Sequence, residues 1–286
     1  MIALPPLAAE QIFHIGSFPV TNTMVNGFLA TVLFAVFAFF LNLGIKKYYG
    51  APDKSGNYTN DVAPRGLVNF FESLLEVFLK QIDNVTKDRK KTLKFLPIVG
   101  GIFLFILVSN WMSQIPGTGS FGIFKGAEFI PILRPATSDL NLTLAMAIFV
   151  VVLSHIAGIA TIGFFKYANK FIKLGDIYQA VKSLSPLKIF VAVIEFFVGL
   201  LEVISEVAKM VSLSLRLFGN IFAGEVLLTV IGSLVAFFVP LPFLALELLV
   251  GVVQAMVFSL LTLVYLTIAT TPVHHVETHG VKMEET

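Results

Sequence analysis

From about Ile189 to Thr271 the sequence is almost continuously apolar, and inside that stretch sits an arginine, Arg216. A helix rises 1.5 Å per residue, so about 20 apolar residues already cross a hydrocarbon core of roughly 30 Å. With 56% hydrophobic residues, 13% charged residues and a mean hydropathy of +0.87, this much apolar surface does not fit inside a water-soluble globule of 286 residues. Lipid is therefore the expected solvent. A guanidinium stays charged at every cellular pH, and placing it at mid-membrane costs about 2.5–3.5 kcal/mol on insertion scales. Such a residue points to electrostatic control of ions crossing a bilayer.

Periodicity and helix breakers give an all-α membrane protein of about five to six membrane helices, read as one polytopic domain over residues 1–286. The expected spans are Val25–Ile45, Phe95–Ile115 (opened by Pro97), Leu140–Phe165, Leu187–Ser233 and Leu241–Thr271. The third is either one tilted span or a hairpin broken near Gly158 and Gly163, and Pro240 with Pro242 separates the last two. Met1 to Thr23 has no Lys or Arg, so no cleaved leader is expected. Basic residues crowd the loop between the first two spans, from Lys46 to Lys94, and the segment after the third, from Lys166 to Lys188. By the positive-inside rule the N-terminus faces out. Within the first loop, Gly66–Ile82 carries Leu67, Phe70, Phe71, Leu74, Leu75 and Phe78 at helical spacing, as an amphipathic helix on the membrane surface or against a partner would.

The fourth region is unusual for a span because it holds Glu195, Glu202, Glu206, Lys209, Arg216 and Glu225 without an internal proline. It is about twice as long as a bilayer is thick, so it is expected to be broken or to lie strongly oblique to the membrane normal. Its charges must face protein or water. Glu195, Glu202, Lys209 and Arg216 recur every seven residues and drift only about 20° per step around the axis. Asn220 falls one turn beyond Arg216, whereas Glu225 points about 180° away from it. In the last region Glu247, Gln254 and Tyr265 form a second polar stripe. Two such stripes facing one another would make a path for ions.

The segment Ser212-Leu-Ser-Leu-Arg-Leu-Phe-Gly-Asn-Ile-Phe-Ala-Gly-Glu225 resembles the signature of subunit a of F-type ATP synthases. The likeness extends to Phe18-Pro-Val-Thr-Asn22, Arg134-Pro-Ala-Thr-Ser-Asp-Leu-Asn-Leu-Thr143 and Gln254-Ala-Met-Val-Phe-Ser-Leu-Leu-Thr-Leu-Val-Tyr265, in the expected order. The resemblance implies long helices, the last two strongly inclined, and an ion-translocating stator, with H⁺ as the expected ion, in a bacterial inner membrane. The implied partners are the c-ring, peripheral-stalk b subunits, other ATP synthase subunits and membrane lipid, with no nucleic acid and no cofactor or metal. Arg216 would stand between two offset half-channels and favour the ionised form of a rotor carboxylate passing it, while lipid favours the protonated form. By the same resemblance Glu225 and Glu247 line the outer half-channel, Gln254 sits opposite Arg216, and Asn220 and Glu202 border the path. Many relatives carry a histidine near one of the two acidic positions. Here His155, in Ser154-His-Ile-Ala-Gly158, is the candidate replacement, since an imidazole exchanges protons near neutral pH.

Each residue also has a plainer role open to it. Arg216 would serve in a structural ion pair with Glu202 or Glu225, Gln254 and His155 in helix packing, and Asp139 as the cap of the helix starting at Leu140. Glu195 and Glu206 read as solvated or partner-facing. An independent secondary transporter or channel, or a purely structural anchor, are the competing classes. Gly117-Thr-Gly-Ser-Phe-Gly122 matches a nucleotide-binding pattern but follows a membrane span, and His274, His275 and His279 lie in a polar tail, so neither is read as a site. No G-x-x-x-x-G-K-[ST] phosphate loop occurs, which leaves any ATP chemistry to partner chains.

Overall fold

A computed structural model describes residues 5–49, 66–115, 121–125, 128–171, 186–235 and 238–271. Its frame is helical. In chain order come β1 (Gln11–Ile15), β2 (Phe18–Thr21), α1 (Asn22–Tyr49), α2 (Leu67–Thr86) and α3 (Arg89–Ser113). They are followed by β3 (Gly122–Lys125), β4 (Glu128–Pro131), a 3₁₀ turn (Ala136–Ser138), α4 (Leu140–Ile162), α5 (Phe164–Phe171), α6 (Pro186–Leu234) and α7 (Pro240–Thr270). The two antiparallel hairpins, β1–β2 and β3–β4, were not anticipated. They occupy the short connections before α1 and before α4, at the same end of the bundle. Gly16, at φ 65°, supplies the positive dihedral that the two-residue turn between Ile15 and Phe18 needs.

Among the described residues, four helices are long and apolar enough to cross a membrane: Asn22–Lys47, Arg89–Met112, Leu140–Ile162 and Pro240–Thr270. That is fewer than the five to six expected. The third region is a single helix and not a hairpin: Gly158 lies inside it, and the chain turns only at Gly163, whose φ of 93° ends α4 before the short α5. Pro97 does not open α3 but sits within it. The helix starts at Arg89, where Asp88 accepts a hydrogen bond from the Lys90 N–H at 2.9 Å. α6 is not broken. Its 49 residues run as one helix, about 74 Å long at 1.5 Å per residue. The break expected at Pro240 is present, with the proline at the first position of α7, where its missing N–H costs nothing.

The core lies where α3, α4, α6 and α7 meet. Val99, Phe103 and Ile106 of α3, Ala147 and Val150 of α4, Leu213, Leu217 and Ile221 of α6, and Ala255, Phe258, Leu263 and Leu266 of α7 are all buried in it. The amphipathic α2 packs its apolar face on this bundle through Phe78 and Ile82, with the Phe78 and Phe103 rings stacked at 5.0 Å. α1 stands at the edge: only 6% of its span is buried, against 33–39% for the other three, so most of its apolar surface faces outward.

Candidate functional site

The polar stripe of α6 and that of α7 do come together. Asn220 donates its side-chain amide to Gln254 Oε1 at 2.6 Å, and Gln254 is buried with its own amide nitrogen unpartnered among the described residues. Helical spacing then puts Arg216 one turn from this contact. Arg216 is exposed on the surface of the chain and makes no ion pair among the described residues. The structural ion pair with Glu202 or Glu225 is therefore absent. Gln254 faces Asn220 directly, with Arg216 adjacent.

Glu225 points to the other side of α6, as the half-turn offset requires, and meets Arg134, which the sequence analysis places in a family-like segment without giving it a role. Arg134 is 2% exposed and binds both carboxylate oxygens: Nε to Oε1 at 3.0 Å and Oε2 at 3.3 Å, and Nη2 to Oε2 at 3.2 Å. Two further guanidinium hydrogens go to the carbonyls of Ala8 at 3.2 Å and Pro6 at 2.8 Å. Five donors in a planar fork suit this arrangement, and a lysine would not reach all of it. The Arg134 carbonyl in turn accepts from Asn26 Nδ2 at 2.6 Å. The available clue was the arginine's place just ahead of a helix cap in Arg134-Pro-Ala-Thr-Ser-Asp139. Asp139 does cap α4, accepting from the Asn141 N–H at 2.9 Å, and it also accepts from Thr23 Oγ1 of α1 at 2.9 Å. It thus ties two helices together beside Glu225.

Glu247 of α7 is 4% exposed, and neither of its carboxylate oxygens has a hydrogen-bond partner among the described residues. It lies close enough to Glu225 for the two to interact electrostatically. The approach depends on Gly224: a Cβ there would fall 2.5 Å from Glu247 Oε1 and 2.7 Å from Cδ. This end of the bundle thus holds two acids of different status, one clamped by an arginine and one with no hydrogen-bond partner at normal distance among the described residues.

His155 is not near this pair. It lies two turns before the end of α4, in a cluster toward the opposite end. Its Nδ1 is 2.7 Å from Tyr167 Oη of α5, and its Nε2 is 3.9 Å from Glu206 Oε2 of α6. Glu206 is only 14% exposed and accepts from Lys209 Nζ at 2.7 Å, so it is paired within the chain and not solvated. Lys209 Nζ also stands 5.4 Å from the centre of the Tyr265 ring. Burial pushes the Tyr167 phenol up to about 12, and the carboxylates of Glu206 and Glu202 act in the same direction, so the hydroxyl remains neutral. Glu202 is half-buried on the same side. Most of the Gly117–Gly122 match, together with His274, His275 and His279, lies outside the described residues.

Along α6 the order is Glu206, Arg216, Glu225. At 1.5 Å per residue, the arginine is about 15 Å from the first acid and about 14 Å from the second. Comparison with known proteins identifies the family. A family model described as ATP synthase A chain matches residues 24–267. ATP synthase subunit a of Moorella thermoacetica is 31% identical over 256 residues, covering 90% of this chain and 94% of that one. That of Mycobacterium ulcerans is 31% identical over 250 residues, covering 86% and 85%. That of Campylobacter curvus is 36% identical over 205 residues, covering 72% and 77%. The match spans every element that carries the Arg216, Glu225, Glu247 and Gln254 positions, and the chain belongs to the ATP synthase A chain family.

Proposed function

We propose that Arg216 separates two proton half-channels in this chain, with Glu225, Glu247, Asn220 and Gln254 on the outer path and Glu202 on the inner one. As a member of its family, the protein is a multi-pass membrane subunit that translocates protons as part of the stator, and the ATP chemistry belongs to other subunits. The finer reading is that residues 1–286 act as a single membrane unit in a bacterial inner membrane with the N-terminus outside. α6 and α7 lie strongly inclined along a c-ring, with peripheral-stalk b subunits at the chain's outer flank. An inclined α6 accommodates about 74 Å of helix in a hydrocarbon core of roughly 30 Å and brings the four spanning helices to five membrane segments.

The observation that carries this reading is the setting of Arg216. A permanent cation lies exposed on the polar stripe of α6, with no ion pair among the described residues, midway between two acid clusters. On a lipid-facing surface an unpaired guanidinium is costly, so a partner's carboxylate is its fitting neighbour. Beside Arg216 a rotor carboxylate ionises and gives up its proton, whereas in lipid desolvation keeps it protonated. Each charge that crosses gains about 2.3 kcal/mol per 100 mV, and offset entrances turn that gain into rotation. Glu247, buried and without a hydrogen-bond partner at normal distance among the described residues, suits the exchange of protons on the outer side, and Arg134 holds Glu225 beside it.

Arg216→Ala in the assembled complex abolishes coupled ATP synthesis on this reading. Normal synthesis in that variant refutes it. An independent transporter would move solute when reconstituted alone, and this chain without a c-ring is expected to move none.

A further inference from the structure

The inner cluster includes three residues that the proton path described above does not use. His155, Tyr167 and Glu206 line an open groove of about 360 Å³ between α4, α5 and α6, whose other walls are apolar groups such as Ile159 and Val203. A half-buried acid and imidazole need not be gathered in so apolar a space to hold three helices together, since Leu and Phe do that at lower desolvation cost. The geometry is that of a relay. With Nδ1–H donated to Tyr167 Oη at 2.7 Å, Nε2 of the neutral ring is a free base facing Glu206. The 3.9 Å separation is beyond a direct hydrogen bond and within the span of one water. Lys209 holds the second carboxylate oxygen of Glu206 and fixes the direction of the first.

We propose that His155 and Glu206 form the proton-transfer pair at the inner end of the path, with Tyr167 and Lys209 as positioning residues. This deepens the reading of Arg216 and rests on it. A proton arriving on Glu206 passes to His155 Nε2: the O–H bond breaks, the N–H bond forms, and a carboxylate and an imidazolium remain. Loss of the Nε2 proton to inner water restores the neutral ring, and Glu206 is ready for the next proton. The groups facing His155 are Tyr167 from α5 and Glu206 from α6. Glu202 and Lys209 lie farther along α6, and Tyr265 comes from α7 behind Lys209. Tyr265 feels the charge of both Arg216 and Glu206, so the cluster borders the region where the rotor carboxylate is unloaded.

The test uses the complete ATP synthase reconstituted in vesicles, with nucleotide-free proton flux driven by a potassium diffusion potential and read at a series of inner pH values. Assembly is checked by recovery of the c-ring. His155→Gln is expected to lower flux about tenfold or more and to flatten its dependence on inner pH near neutrality. Glu206→Gln is expected to do the same, with the double variant no worse than either single one. Tyr167→Phe retains flux and shifts the midpoint of the pH profile, which also decides the matter should His155→Gln fail to assemble. Unchanged flux and profile in assembled His155→Gln overturns the proposal, as does a uniform fall with an unmoved midpoint, the mark of a packing role. Glu247→Gln, measured alongside, separates the two readings. If it lowers flux while His155→Gln does not, only the inner pair fails; if neither lowers flux, the outer path falls as well.

Discussion

A methyl group added at Gly224 is expected to silence proton flow with little effect on the fold. The ideal Cβ would lie 2.5 Å from Glu247 Oε1, 2.7 Å from Cδ and 3.2 Å from Cγ. Ordinary non-bonded contact needs about 3.5 Å, so the carboxylate end of Glu247 must retreat by about 1 Å. It can do so because it is the far end of a flexible side chain, at about 0.5–1.5 kcal/mol for an off-rotamer geometry. Replacing glycine by alanine inside a helix returns about 1 kcal/mol, so the two effects nearly cancel. For a proton-exchanging group, displacement is the serious matter: a misplacement of about 1 Å can slow a positioned reaction about 100-fold. The assay is passive proton flux through the reconstituted complex carrying Gly224→Ala, alongside its thermal midpoint and c-ring recovery. Flux within twofold of the parent would refute the place given to Glu247. Loss of assembly would refute the claim that the side chain alone gives way.

Arg134→Ala leaves the Glu225 carboxylate without its partner in a site where the arginine is 2% and the acid 19% exposed. A loss of about 3–5 kcal/mol is expected in denaturant unfolding of the detergent-solubilised protein, partly restored by adding Glu225→Gln; a loss under about 1 kcal/mol would count against a tightly held pair. Gly158→Ala contrasts with Gly224→Ala, because the new Cβ would run into the Tyr167 ring and lie 2.8 Å from the Ala269 carbonyl oxygen. Backbone cannot swing aside, so this variant is expected to cost about 1–3 kcal/mol and to lower the melting temperature, which a thermal melt reads directly.

The helical frame was legible because each span is a long apolar run ended by glycine, proline or charge, as at Gly163 and Pro240. The half-turn between Arg216 and Glu225 was legible too, since it follows from helical period alone. Partners across the bundle were not. Arg134 and Glu225 are 91 residues apart, and nothing local in either segment indicates that a loop arginine folds under the N-terminal carbonyls to reach α6. The separation of His155 from the two acids was not legible for a related reason. Its sequence position fixes it on α4, but only the direction of that helix decides which membrane face it approaches. Starting from Asp139 beside Glu225, α4 carries His155 about 24 Å away along its axis. Pro97 misled through a general preference: proline favours a first turn, yet the Asp88 cap lies upstream of it and the helix absorbs the ring.

The unbroken course of α6 has a mechanical consequence. Glu206, Arg216 and Glu225 are mounted on one rod of 49 residues with no proline or irregular turn among them. Their axial spacing therefore acts as a fixed ruler. A neighbouring rotor can tilt or press the rod without changing the interval at which a passing group meets one exit, the cation and then the other, so the timing of exchange is written into the pitch of a single helix and owes nothing to the surrounding loops.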